Sequence, residues 1–204
     1  MSNLLNELEW RFRNLNEGLA FLLAILSIAI AYIRPYSLTY DPLVYLVFPI
    51  VTATIAIVPH EIAHRQIARR YGSYSRFALS FTGFLITLLV NLISAFGISP
   101  FVIFASGYTL ILGRFGVPTQ EVEGKISFGG PAVNLAVSIV SFIIAGFTSN
   151  PLVYIFFAEL YSFNAWVAFF NLLPIPPLDG FKVFRWNKTL WIIGLIVSLA
   201  LVIL

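Results

Sequence analysis

Long apolar runs alternate with short polar breaks along this chain of 204 residues. That pattern predicts helices that cross a membrane. A first uncharged run extends from about Gly18 to Ile33 and stops at Arg34-Pro35. A second begins at Leu43 and meets its first ionisable residues at His60, Glu61 and His64. Arg65, Arg69, Arg70 and Gly72 then end it. Residues 77–113 carry no charge, too long a stretch for one span, and Gly97 and Pro100 break it. The pattern predicts a helix over about Phe84 to Phe96. Beyond it, β-branched and aromatic residues around Ser106-Gly107 predict a β-hairpin over 101–112 that returns to the starting side. A second short helix is the alternative for that stretch. Arg114 to Ser127 reads as a polar loop, and Gly129-Gly130-Pro131 opens a span to about Phe147. A turn at Thr148–Pro151, a span over 152–173 and a short apolar run from Leu190 to Leu204 complete the layout. The expectation is an all-α polytopic helical bundle of about six spans with a small membrane-associated β-hairpin, one transmembrane domain over 1–204. Within 1–17, Glu7, Glu9, Arg11, Arg13 and Glu17 interleave with Trp10 and Phe12, which predicts an amphipathic interfacial helix and not a signal peptide.

Composition sharpens this picture. Hydrophobic residues make up 59% of the chain and charged residues 10%, with a mean hydropathy of +0.92. A soluble domain carries about 25% charged residues, so a soluble enzyme and a disordered chain are both excluded. The net charge of +3 comes from scattered residues, which argues against a nucleic-acid partner. Cysteine is absent, so no thiolate can serve as nucleophile or metal ligand. With the N-terminus cytoplasmic, eleven of the twelve Lys/Arg residues fall inside and Arg34 alone falls outside. The expectation is a multi-pass cell-membrane protein in that orientation, its C-terminus on the far side. His60–His64 and Pro174–Asp179 then come to the same, cytoplasmic depth.

Three ionisable residues within five positions of a span are costly and call for a reason. The chain's two histidines stand four apart, His60-Glu61-Ile62-Ala63-His64. Positions i and i+4 share a helix face, so both imidazoles can bind one zinc ion with Glu61 close by. A catalytic zinc takes three protein ligands. No third histidine exists, and Glu159 lies roughly 10–20 Å from the motif in depth. Asp179 is at the right depth, after a proline-broken segment of the kind tolerated only against protein or a wet cavity. It is the third ligand by elimination, giving one zinc per chain; a turn carboxylate before Gly180 is the other reading. Glu159 reads as a buried hydrogen-bonding residue.

His60-Glu-Ile-Ala-His64, Gly130-Pro-Ala-Val-Asn134 and Asn171-Leu-Leu-Pro-Ile-Pro-Pro-Leu-Asp-Gly180 resemble the three signatures of the site-2 protease family of intramembrane zinc metalloproteases, in its short archaeal-type form. The resemblance runs from about residue 43 to 188 and is weaker over 77–127. It implies a zinc site shared by the H-E-x-x-H helix and the Leu-Asp-Gly motif. It also implies a transmembrane protein as substrate, cut within or near its spanning segment close to the cytoplasmic face. Glu61 would serve as proton acceptor for the attacking water, and Asn171 as a hydrogen-bond donor to the developing oxyanion. From the residues alone, Asn171 also reads as a helix–helix hydrogen bond, and Asn134 reads more simply as a packing residue. The hairpin would hold an unwound substrate by strand pairing. Two other classes compete: a catalytically silent membrane-embedded homologue acting as a binding module, and a metal-ion transporter. The intact His60, Glu61, His64 and Asp179 argue against the first, and the sparse polar residues in the outer halves of the spans against the second.

Overall fold

The computed structural model describes residues 2–99, 102–113 and 118–204. The described residues are predominantly helical, with one two-stranded sheet among them. It divides into two compact units, Met1–Thr54 with Arg76–Leu110, and Ile55–Ser75 with Ile111–Leu204. Among the described residues, three helices are long and apolar enough to cross a membrane: Leu43–Arg70, Gln120–Phe147 and Pro151–Asn171. A fourth span results if the bent pair at the N-terminus counts as one, and two shorter apolar helices, Phe81–Ala95 and Lys188–Ile203, accompany them. Asn91, Asn134 and Asn164 are fully enclosed, whereas Ile139, Val140, Ile143, Ile192, Ile193 and Ile196 lie exposed.

In the first unit, α1 (Ser2–Arg13) and α2 (Glu17–Ala29) meet at 109°. The Glu9 carboxylate accepts from the backbone N–H groups of Phe81 (3.0 Å) and Thr82 (2.8 Å), the first turn of α4 (Phe81–Ala95). A carboxylate is favoured there because it satisfies orphan donors at the positive end of the helix. Phe12 packs edge-on against Phe81, ring centroids 5.0 Å apart. Leu4, Leu5 and Trp10 on α1 stay exposed. Glu17 accepts from the N–H of Phe77 at 2.8 Å, and Phe21 stacks on the Phe77 ring.

Phe77 belongs to β1 (Ser73–Leu79), a strand absent from the sequence expectation, which pairs with β2 (Gly107–Gly113). The hairpin expected at 101–112 is corrected accordingly: a single strand forms there, and its partner lies some thirty residues earlier in the chain. Pro100, Phe101 and Arg114, which figured in that expectation and in the charge count, lie outside the described residues. The stretch before β2 runs extended back along α4, and side chains of α4 satisfy its backbone. Asn91 accepts from Ile103 N–H (2.9 Å) and donates to Ile103 O and Ser27 O (3.0 Å each). Thr87 Oγ1 accepts from Ala105 N–H at 3.2 Å. Buried backbone outside a helix or sheet requires such partners.

In the second unit, the last part of α3 (Phe48–Arg70) joins α5 (Gln120–Phe147), α6 (Pro151–Asn171), α7 (Asp179–Trp186) and α8 (Lys188–Ile203). Helix α5 begins nine residues before the Gly129-Gly130-Pro131 start expected from sequence, so most of the expected polar loop is helix. Thr119 caps it by accepting from Val122 N–H, and Glu121 and Glu123 complement its first turn. The Gly-Gly-Pro triplet therefore lies in the helix interior. Asn150 caps α6 and Pro151 occupies its first turn, in keeping with the expected break at 148–151.

Two outcomes follow from the first unit. Asn91→Leu should lower the thermal unfolding midpoint clearly, because each buried backbone group left unpaired costs about 1–3 kcal/mol. An unchanged midpoint in detergent would contradict this role. Burial pushes the Glu9 carboxyl up, but its hydrogen bonds to Thr82, Phe81 and Ser80 outweigh that and hold it below the ordinary value. A depressed folded-state pKa gives stability that is complete above the unfolded value and lost as pH falls through the folded one. Glu9→Gln should therefore weaken the protein at neutral pH and flatten its loss of stability in the acid range, measured as unfolding midpoint against pH.

Candidate metal centre

His60 and His64 project from one face of α3, ring centroids 4.6 Å apart and planes at 84°. Their Nε2 atoms approach to 3.0 Å. Asp179, the first residue of α7, brings Oδ2 to 3.1 Å from His64 Nε2 and 3.4 Å from His60 Nε2. Both imidazoles are buried, 4% exposed each. These are the residues that the sequence nominated as ligands, and the fold brings all three together.

The donor set can be tested against zinc. His60 Nδ1 stands 2.5 Å from Asn134 Oδ1, and His64 Nδ1 stands 2.7 Å from the carbonyl oxygen of Ile126. Oxygen at both places can only accept, so each imidazole carries a proton on Nδ1 and donates it outward. Each Nε2 is left with a lone pair facing the other and facing a carboxylate. Three acceptors in a buried space are stable together only around positive charge, either a proton or a metal ion. Burial raises the Asp179 carboxyl, but the adjacent His64 and His60 hold it below the usual carboxylate range. Ligands 2.0–2.2 Å from a tetrahedral zinc lie roughly 3.3–3.6 Å apart, close to the spacing of these three atoms. The residues fit the metal.

Two glycines make the arrangement possible. A Cβ on Gly130 would stand 2.5 Å from both Nε2 atoms, so only glycine lets α5 approach the two rings this closely. A Cβ on Gly180 would stand 2.2 Å from the carbonyl of Leu172, so only glycine lets the start of α7 press against the end of α6 and present Asp179. Trp191 Nε1 donates to the same carbonyl at 2.8 Å, tying α8 to that junction.

Glu61 follows His60 on α3 and is 8% exposed. Its carboxylate is near enough to act electrostatically on His64, but it is outside the ligand trio. Asn171 is the last residue of α6, and its amide donates to Val167 O one turn earlier, at 2.9 Å. Glu159 lies half-buried in α6, away from the trio. Gly130, Ile126 and Asn134 are the contributors that sequence reasoning missed or underrated. The G-P-x-x-N motif pointed to two of them; a backbone carbonyl such as that of Ile126 leaves no trace in sequence.

Gly130→Ala separates the metal role from packing. Alanine inside a helix normally stabilises by roughly 0.5–1 kcal/mol relative to glycine. Here the methyl should evict the metal, so the variant should retain its helical content and bind little or no zinc by elemental analysis. Full zinc occupancy in that variant would refute the geometry.

The chain is 35% identical over 175 residues to "Putative zinc metalloprotease MJ0611" of Methanocaldococcus jannaschii, covering 85% of this chain and 87% of that relative. It is 24% identical over 159 residues to "Putative zinc metalloprotease YwhC" of Bacillus subtilis, covering 71% and 70%. No family model and no solved structure matches it. With the first of these relatives matched over most of both chains, and with the three motifs arrayed around one site, the chain belongs to the site-2 protease family of zinc metalloproteases.

Proposed function

We propose that this protein is an intramembrane zinc metalloprotease. It hydrolyses a peptide bond within or near a transmembrane segment of a membrane protein, close to the cytoplasmic face. The observation that carries the reading is the convergence of His60 Nε2, His64 Nε2 and Asp179 Oδ2 in a buried space that Gly130 keeps clear. One zinc ion held there would lower the pKa of water and polarise the scissile carbonyl. Glu61 takes the proton from the attacking water and returns it to the leaving amine. Asn171 donates a hydrogen bond to the oxyanion. Its amide carries a second N–H besides the one given to Val167 O, and that N–H is the donor available to the oxyanion. Burial of both imidazoles excludes bulk water and strengthens each electrostatic contact.

In this reading α2, α3, α4, α5, α6 and α8 are the six spans, with α1 lying in the interface and the N-terminus cytoplasmic. The bent junction of α1 and α2 and the charge asymmetry support it. The bilayer is a partner in its own right, since aliphatic side chains of α5 and α8 need lipid around them. A substrate helix hides its amides and must unwind before attack. An extended substrate can then add to the outer edge of the β1–β2 sheet.

Glu61→Gln tests the mechanism. The amide is nearly isosteric and Glu61 is no ligand, so zinc should remain. Loss of the proton acceptor should slow cleavage of a reconstituted single-span substrate by roughly 10²–10⁴-fold. His60→Ala or Asp179→Ala should lose zinc and cleavage together. A Glu61→Gln variant as fast as the parent would end the metalloprotease reading, and a zinc-loaded parent inert on every membrane substrate would favour the silent homologue. Labelling of Lys182 and Lys188 from the outside of intact cells would overturn the orientation.

A further inference from the structure

We propose that Asn164 is a positioning residue for the metal centre: acting through Asn134, it keeps the proton of His60 on Nδ1 and leaves Nε2 free to bind the ion. This rests on the zinc reading above. Asn164 lies in α6, outside all three sequence motifs, and it touches no ligand atom. It is fully buried, as is Asn134. Two buried side-chain amides in an apolar bundle need a reason.

The hydrogen bonds form one directed line. Asn164 Nδ2 donates to Leu160 O, one turn back on its own helix, at 2.9 Å. That leaves Asn164 Oδ1 facing α5. There it accepts from Asn134 Nδ2 at 2.8 Å, and the same Nδ2 donates to Ala56 O of α3, also at 2.8 Å. Both acceptors lie on the nitrogen side of the Asn134 amide, so a flipped amide would set oxygen against oxygen twice. Asn134 Oδ1 is thereby turned to His60 Nδ1 at 2.5 Å. An oxygen there admits only the Nδ1–H tautomer, and the electron pair of Nε2 is left for the metal. Removing Asn164 takes away one of the two acceptors that fix the amide. Asn134 then hangs on Ala56 O alone, and His60 loses a fixed partner.

A purely structural role would be to hold α5 against α6. Ser138 provides the control, because its hydroxyl donates to Tyr161 O at 2.9 Å between the same two helices and lies off the line to His60. The experiment measures zinc affinity by chelator competition, together with the thermal midpoint of the metal-free protein, on the full chain in detergent. Asn164→Leu removes the acceptor and keeps the branching and number of side-chain heavy atoms. Asn164→Ser is a smaller variant that cannot span the gap and guards against misfolding of the first. Loss of a partner behind a ligating histidine typically weakens metal binding about 10–100-fold, and at one further remove we expect about tenfold for both Asn164 variants. Ser138→Ala should lower the thermal midpoint and leave zinc affinity at the parent value. The proposal is overturned if the Asn164 variants bind zinc like the parent, or if Ser138→Ala weakens zinc as much as they do. If the parent's zinc binding is indifferent to His60→Ala, the zinc reading itself fails, a result distinct from loss of the Asn164 effect alone.

Discussion

Two imidazole nitrogens and a carboxylate oxygen stand within 3.4 Å of one another in the second unit, each presenting an electron pair to the others. Left to themselves they would separate or take up a proton. The surrounding protein prevents the first. Asn134 and the Ile126 carbonyl hold the outer nitrogens of the two rings, and the close seat of Gly180 on Leu172 holds Asp179. The energetic cost of assembling like partners is met during folding, and a cation entering afterwards meets a preorganised set. Such preorganisation is what a site with three protein ligands needs in order to hold a metal ion.

A membrane makes such preorganisation more demanding, because every polar group away from water needs a protein partner. The protein answers in the same way at two places. Beside α4, Asn91 and Thr87 take the place of a neighbouring strand for residues 103 and 105, so extended backbone survives where a helix would be the default. Beside the metal centre, Asn134 and Asn164 satisfy each other and two carbonyls while fixing a ring. In both cases asparagine serves because its amide carries two N–H donors on one atom and an acceptor on another, whereas a hydroxyl has a single donor and an ionised carboxylate has none.

What the sequence disclosed follows from the range of each interaction. His60 and His64 were legible because helical spacing alone puts them on one face. Asp179 was legible because the chain offers so few carboxylates at the right depth. The site's supporting contacts were harder to see. The carbonyl of Ile126 has no side-chain signature, and Asn164 sits in an apolar run with no motif around it. The β1–β2 pairing joins segments about thirty residues apart, and its first strand, Ser73–Leu79, has no turn signal on its far side to separate it from the helix that follows. The early start of α5 was hidden by Gly129-Gly130-Pro131, which reads as a helix opening in any sequence. Here Gly130 is present for clearance, not for a turn.

That clearance explains the spacing of the G-P-x-x-N motif. Ile126, Gly130 and Asn134 are four residues apart in succession, so they form one stripe on α5. Each meets the histidine face of α3 at its own level. Ile126 takes the outer nitrogen of His64, Gly130 lies over both inner nitrogens, and Asn134 takes the outer nitrogen of His60. The stripe runs opposite to the histidines, the higher number on α5 meeting the lower on α3, as two antiparallel helices require. One helix thus carries the two histidines, and the other fixes the outer nitrogen of each ring and leaves room for their inner nitrogens. An insertion of a single residue between Gly130 and Asn134 would rotate the amide by about 100° around α5 and break the match, although every residue type in the site would still be present.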